Sequence, residues 1–557
     1  MLPSPHLIRI LRASLLMPGI CSVVTTIVIG ISLGYSISQI SPAATCEAAS
    51  FQPAAQTPEA LPDQEATVDE IPQHSTWRIK GAEDANGIYR LKYSPDGNLL
   101  ATRNRNNTVS IYNVTTRELL CAVDGHENNW VETIDFSSDS KFFVTAAGSG
   151  EVVKIWDAQT GQFKSEIKSS ATAAYFDPSG DSIHVMGEAH VETYSWPGVQ
   201  KTSQRKWKNG TESGVGMSHD GRVVVTFRKL NRNVYRTQVI DLESKSKVQL
   251  DGPTGTPRTV AISPNRYWLA VQYDREEDIN LWDLRDPRQK KYKLERHAET
   301  VQSLAFSPDS RMLASSSWDE TVIVWDLLSR GMLKQFLGHT EHVNATAFSP
   351  QMAIASGASG ATDTSTILWD IKEFVLLPAT EPQPSFEETW DRLGAPGLTE
   401  SLEATGNFIA GGDRQLAGLE KQVAKYLQGN ASNDLAETIQ LLNHVEWAVR
   451  EKATKQLFAI RGKSDVELRR ALDVATSPET RYRLGLVLKQ KLERVQMDPF
   501  EARRWSRVVF ALEQINTDRT QKLLQQMAAS SLGFEVAIDA KQSFERNLER
   551  RRRPPAG

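Results

Sequence analysis

Cysteine is nearly missing from this chain: Cys21, Cys46 and Cys121 are the three in 557 residues, far apart in sequence. That scarcity excludes a disulfide framework and a cysteine-based zinc site. His-Glu-x-x-His, Cys-x-x-Cys-His and paired Cys-x-x-Cys are absent as well, so neither a zinc protease nor a haem protein is indicated. We expect no cofactor, no metal and no catalysis. An excess of charge of one sign is also lacking. The 64 Lys and Arg against 68 Asp and Glu leave a formal charge of −4, and no global field favours nucleic acid. The length exceeds one domain and suggests roughly three to four folded units.

Charge is lacking altogether between Arg12 and Glu47, where Leu15 to Ile40 is mostly apolar. Crossing a bilayer as a helix takes about 20 such residues. Arg9 and Arg12 precede the run, and the next Lys or Arg is Arg78. The positive-inside rule then puts the first residues in the cytoplasm and everything after Ile40 outside it, in a periplasm or equivalent space. A cleaved leader is the alternative, and Ser41-Pro42-Ala43 fits a cleavage site; the apolar run is nevertheless longer than the usual leader core. Gly30 and Gly34 form a GxxxG pair, a spacing that lets two such helices approach and admits a homodimer. Residues 41–75 are rich in Pro, Ala, Gln, Glu and Thr with hardly any large apolar side chain, the composition of a disordered spacer.

Internal repetition follows. Turns of the Ser-Pro-Asp-Gly type recur at Ser94, Ser137, Asp177, Ser218, Ser263, Ser307 and Ser349. Each follows an alternating strand such as Val301-Gln302-Ser303-Leu304-Ala305-Phe306. A second series, Tyr112, Trp156, Tyr194, Ile240, Trp282, Trp325 and Trp369, keeps a fixed offset from the first. Both have seven members about 40–45 residues apart, the period of a four-stranded propeller blade.

Trp-Asp at 156–157, 282–283, 325–326 and 369–370, with Gly-His at 125–126 and 338–339, resembles the WD-repeat family over residues 76 to about 373. The resemblance implies, in each blade, a buried hydrogen-bonded tetrad of His, Ser or Thr, Asp and Trp. It maps onto His297, Asp319 and Trp325 in blade six and onto His339, Asp363 and Trp369 in blade seven. Blade two keeps His126 and Trp156 but has Gly150 where the Asp belongs; blades three and four keep little. Related propellers also imply that Thr76-Trp77-Arg78-Ile79-Lys80 completes the last blade, which removes an open sheet edge.

Beyond Pro378, Pro382 and Pro384 the alternation gives way to helical spacing. Asp498-Pro499-Phe500-Glu501 and Ser477-Pro478-Glu479 read as helix starts. Residues 445–453 and 504–529 resemble HEAT-type repeats, and the whole has a general likeness to bacterial WD-repeat proteins with such an appendage.

The expected fold is therefore multi-domain: a cytoplasmic stub (1–14), a transmembrane anchor (15–40), a spacer (41–75) and a seven-bladed all-β propeller (76–377). A linker (378–384), an all-α helical-repeat region (385–549) and a basic tail (550–557) follow. Two motifs are coincidental. Gly30-Ile31-Ser32-Leu33-Gly34 fits GxSxG but lies in the apolar run, and Gly462-Lys463-Ser464 lacks the earlier P-loop glycine, having Leu457 there. Propellers and helical arrays carry no inherent chemistry, so the expected function is protein–protein scaffolding. The alternative is an accessory propeller for a hydrolase or peptidase. Trp130, just before blade two, and Trp318, just before Asp319, belong to loop classes that share one rim in WD-repeat proteins, and we expect partners to dock there.

Overall fold

The computed structural model describes residues 72–79, 87–124, 126, 130–147, 152–207, 212–231, 234–250, 255–274, 276–285, 291–428, 434–459, 468, 471–472, 475, 477–494, 499–529 and 534–552. The apolar run, its Gly30–Gly34 pair, the cleavage motif and almost all of the spacer lie outside them. Among the described residues no helix is long and apolar enough to cross a membrane.

Seven four-stranded antiparallel sheets form, six of them meanders with all four strands in chain order. They occupy 88–123, 131–168, 173–206, 212–249, 257–294, 301–336 and 343–370. The seventh takes its outer strand from Ser75–Ile79, which pairs antiparallel with Thr366–Asp370 in the register Ile79 to Thr366. First strands of successive blades approach one another, so they line the axis. Near that axis Lys92 of blade one meets Asp135 of blade two at 2.9 Å and donates to His219 Nε2 of blade four at 3.0 Å.

The repeated turn owes its shape to its serine. Ser307 Oγ donates to Asp309 at 2.5 Å and accepts from the Met312 N–H at 2.9 Å. The same pair of bonds recurs around Ser94, Ser137, Ser218 and Ser263. The fourth turn residue is left-handed in all seven blades, as Gly97, Ser140, Gly180, Gly221, Arg266, Ser310 and Met352. Glycine adopts that conformation freely, whereas the side chains of Arg266 and Met352 oppose it.

Apolar positions fill the gaps between blades, one core per gap. Leu99, Ala101, Val109 and Ile111 of blade one pack on Val131, Ile134 and Phe136 of blade two, and the ring closes where Ile79, Ala355 and Leu368 meet Tyr93 and Leu100. Second strands are consequently buried on both faces, as Phe142–Ala147 is, while the outer strand Lys201–Lys206 stays exposed.

Ten helices follow among the described residues: α1 (Lys372–Val375), α2 (Phe386–Leu393), α3 (Leu398–Ala410), α4 (Gly412–Gln428), α5 (Asp434–Leu441), α6 (Trp447–Ala459), α7 (Pro478–Arg494), α8 (Pro499–Ile515), α9 (Asp518–Ala529) and α10 (Phe534–Arg552). Ser385 caps α2 through a reciprocal pair of bonds with Glu388. Their packing follows two cores. Helices α2, α3 and α4 join α8, α9 and α10 around Trp390, Phe408 and Trp505, and α5 to α7 gather around Leu442, Leu457 and Leu484. A linear solenoid touches only its sequence neighbours. Here Arg507 of α8 donates back to the carbonyls of Leu393 and Ala395, at 2.7 and 2.9 Å. Helix α10 runs on to Arg552, so it includes Arg550 and Arg551, and Arg551 pairs with Asp518 at 2.6 Å.

Propeller and helices share a continuous interior. Phe510 of α8 packs with Met312, Phe348, Ile354 and Val375, and Leu398 of α3 lies against Gly331. Beside them Glu513 of α8 meets Arg311 of blade six at 3.2 Å and Arg546 of α10 at 2.7 Å. These residues all belong to the rim of first-to-second and third-to-fourth connections.

Candidate interaction rim of the propeller

In blade six the structure unites the expected residues in one directed chain. The Trp325 indole N–H donates to Ser315 Oγ at 2.9 Å, Ser315 bonds His297 Nε2 at 2.8 Å, and His297 Nδ1 bonds Asp319 at 2.8 Å. Blade seven repeats it through Trp369, Ser356, His339 and Asp363 at 2.7, 2.7 and 2.8 Å. Ser315 and Ser356 are the members that sequence spacing left unnamed. Burial works to raise the Asp319 carboxyl, but bonds from His297, Ala298 N–H and Thr321 outweigh it and hold the group at about 2. A nucleophile–base reading of Ser-His-Asp fails on access: Ser315 and Ser356 are fully buried and each already accepts from a tryptophan. The tetrads hold loops in place.

Blade two keeps half the chain, with His126 on Thr145 at 2.8 Å and Trp156 on the same hydroxyl at 2.9 Å. Without a carboxylate, burial and then Lys154 push the His126 imidazole down to about 4. Blade three substitutes a network around the buried Glu192, which accepts from Tyr194 at 2.8 Å and Ser169 at 2.9 Å.

Trp130 and Trp318 both lie on the rim opposite the helices, since blade-to-blade and second-to-third connections share one end of an antiparallel meander. They sit on different blades and in different states. Trp318 is half-buried, donates to Asn344 at 3.1 Å, stacks on His342 at 5.1 Å and lies under Arg258 at 4.8 Å. Trp130 is 48% exposed and rests on Tyr89 and Arg103 through ring contacts, at 5.9 and 5.0 Å.

A second exposed apolar set lies on and beside helices α5 to α7. Val445 is 93% exposed and Trp447 63%, with Leu441, Tyr482 and Leu486 also exposed on α5 to α7. Among the described residues no group of three or more metal-ligating side chains converges.

The family model described as WD domain, G-beta repeat matches residues 74–113, 117–157, 288–326 and 331–370. Blades three to five, whose tetrads are lost or replaced, fall almost wholly between those matches. Among curated proteins the chain is 23% identical over 319 residues to the WD repeat-containing protein WDS homolog of Arabidopsis thaliana, covering 54% of this chain and 58% of that one. It is 39% identical over 79 residues to the small ribosomal subunit protein RACK1 of Neurospora crassa, covering 14% and 24% respectively. Telomerase Cajal body protein 1 of Mesocricetus auratus is 22% identical over 334 residues, 52% of this chain and 62% of that one. The chain thus spans less than two thirds of each of these relatives. A solved chain of Kuenenia stuttgartiensis hydrazine synthase superposes with a TM-score of 0.41 at 15% identity, over 51% of this chain and 99% of that one, too loosely to bear on function. Four stretches of this chain thus match the WD domain, G-beta repeat model, and they lie in a closed seven-bladed β-propeller that helices follow.

Proposed function

We propose that this chain is a non-catalytic scaffold tethered to a membrane by residues 15–40, with propeller and helices outside the cytoplasm, and that it holds protein partners on the rim bearing Trp130 and Trp318. The observation that carries the reading is the division of labour between rims. The helices dock on the first-to-second turn side of blades six and seven through Phe510 and Glu513. Trp130 stands on the other side with about half its surface open. Large aromatic side chains of this kind dominate interface hot spots. A second contact, on the α5–α7 unit, is favoured by the exposure of Val445 and Trp447, and that unit is where the HEAT-like part of the proposal rests. Pairing of two chains through Gly30 and Gly34 belongs to the same proposal.

Two experiments test it. A reporter active only outside the cytoplasm, fused after Ile40, should give signal, and signal from a cytoplasm-only reporter in its place would remove the localisation. Capture from membranes with the soluble portion as bait should retain partners that Trp130→Ala loses. Equal capture by parent and variant would move the interface elsewhere.

A further inference from the structure

The second strand of blade one, Leu99–Asn104, ends on the open rim, and it places Arg103 on the same face as Leu99 and Ala101. That face points into the core between blades one and two. Arg103 is 1% exposed, and its Nε and Nη1 are buried with no hydrogen-bond partner among the described residues. Other buried arginines in the described residues have acids or carbonyls: Arg483 meets Glu479, Arg504 the Trp390 carbonyl, Arg507 those of Leu393 and Ala395. What Arg103 has instead is aromatic. Its guanidinium lies 5.5 Å from the Tyr89 ring and 5.0 Å from the Trp130 ring, and the two rings meet edge to face at 5.9 Å.

A cation taken out of water without a counter-charge is costly, and ring faces return only part of that cost. Glu132, the neighbouring carboxylate, is already paired with Arg90, whose Nε also donates to the Glu132 carbonyl at 2.9 Å. The cluster of Arg90, Arg103 and Glu132 therefore keeps one positive charge in excess, and it lies beneath Trp130, a side chain held among the described residues by ring contacts.

We propose that the gap between blades one and two on this rim is a recognition site for a carboxylate presented by a protein partner, with Arg103 as the cation that reads it and Trp130 as the cover that moves aside and closes over it. The planar guanidinium fork matches a carboxylate with two parallel bonds. A single excess charge beside Glu132 suits a monoanion and disfavours a phosphate dianion. Burial, followed by the nearby Arg90, lowers the Arg103 guanidinium to about 10, so it remains charged at neutral pH. This proposal rests on the rim reading above and names the chemistry of its ligand.

The test uses the purified full chain and three labelled dodecapeptides that alternate glycine with glutamate, glutamine or phosphoserine, read by fluorescence anisotropy. The glutamate peptide should bind at least tenfold more tightly than the other two. Arg103→Met should abolish that preference while melting no lower than the parent, because it removes an uncompensated buried charge and keeps the volume. Should Arg103→Met fail to fold, Arg103→Lys takes its place: it keeps the charge, loses the fork and should weaken the glutamate peptide several-fold. Equal binding of glutamate and glutamine peptides, a preference for phosphoserine, no binding of any peptide, or a preference that survives both substitutions would overturn the assignment. The rim reading fails separately, if Trp130→Ala captures partners from membranes as well as the parent does.

Discussion

Arg311 Nη1 of blade six lies 3.2 Å from Glu513 Oε2 of α8, and both side chains are almost entirely withdrawn from solvent. Arg546 and Ser543 complete the arrangement, so the carboxylate joins propeller to helices with its acceptor positions filled. Removing one partner of such a group strands the others, at about 3–5 kcal/mol. Glu513→Gln should therefore lower the melting temperature in calorimetry and separate the helical transition from that of the propeller. A thermogram that overlays the parent's would mean that Phe510 and its apolar neighbours hold the seam unaided.

The same carboxylate sets an acid limit. Burial raises it, but Arg546 and Arg311 outweigh burial and bring it to about 2, below its ordinary 4.5. A depressed acid contributes fully above its unfolded value, and the contribution is lost as pH falls through the folded one, on the order of 3 kcal/mol in all. Acid unfolding of the parent should thus steepen between pH 4.5 and 2, and Glu513→Gln should flatten that stretch. Parallel titrations of the two proteins would count against the seam's electrostatic origin.

His126 acts in a different window. Its imidazole is held neutral down to about 4, against an ordinary 6.5. The unfolded chain then binds the extra proton, so stability is complete above pH 6.5, declines as pH falls towards 4 and levels off below, by roughly 3 kcal/mol. His126→Asn should remove part of the parent's loss of stability between pH 7 and 5. If both proteins lose the same amount over that interval, blade two is not its source.

Trp130 and Trp318 should separate function from stability. Trp318→Ala deletes an indole bonded to Asn344 and stacked on His342, and should cost about 2 kcal/mol. Trp130→Ala should cost under about 1 kcal/mol and still lose partners. The converse pattern, with Trp130 essential to melting and irrelevant to capture, would make it mere cover for Arg103.

Deleting residues 76–80 removes the outer strand of blade seven and with it the bonds from Arg78 to Ser365, at 3.1 Å, and to the Gly338 carbonyl, at 3.1 Å. The edge Thr366–Asp370 is then open to pairing with other chains. Light scattering should report association on heating; a monomeric deletion variant with an unchanged melting curve would show that blade seven tolerates its bare edge.

Repetition made the propeller legible, because seven copies of one turn and of one large apolar position, aromatic in six of them, fix register without any knowledge of contacts. His297, Asp319 and Trp325 could be placed because the resemblance to WD repeats implies a tetrad on that register. Their serine could not, since Ser315, Ser316 and Ser317 follow one another and only the fold selects the one that faces the indole. The helices were harder to read. Spacing marks the apolar face of α8 but not what lies on it, and Trp505 meets Trp390 across more than a hundred residues. Trp447 is an aromatic at a helical position that faces outward, which spacing alone does not reveal. Arg103 offered one signal that passed unnoticed: a charged residue on the face that carries Leu99 and Ala101.

The ring's closing strand also imposes an order on synthesis. Thr76 bonds the carbonyl of Leu368, 292 residues further along the chain. A ribosome adding about 5–20 residues per second takes roughly 15–60 s to cover that distance. For that interval the strand Ser75–Ile79 has been made and the sheet it belongs to does not yet exist, so six blades are made beside an unoccupied clasp. Whatever keeps that early segment from pairing elsewhere decides how much of the newly made protein ever becomes a ring.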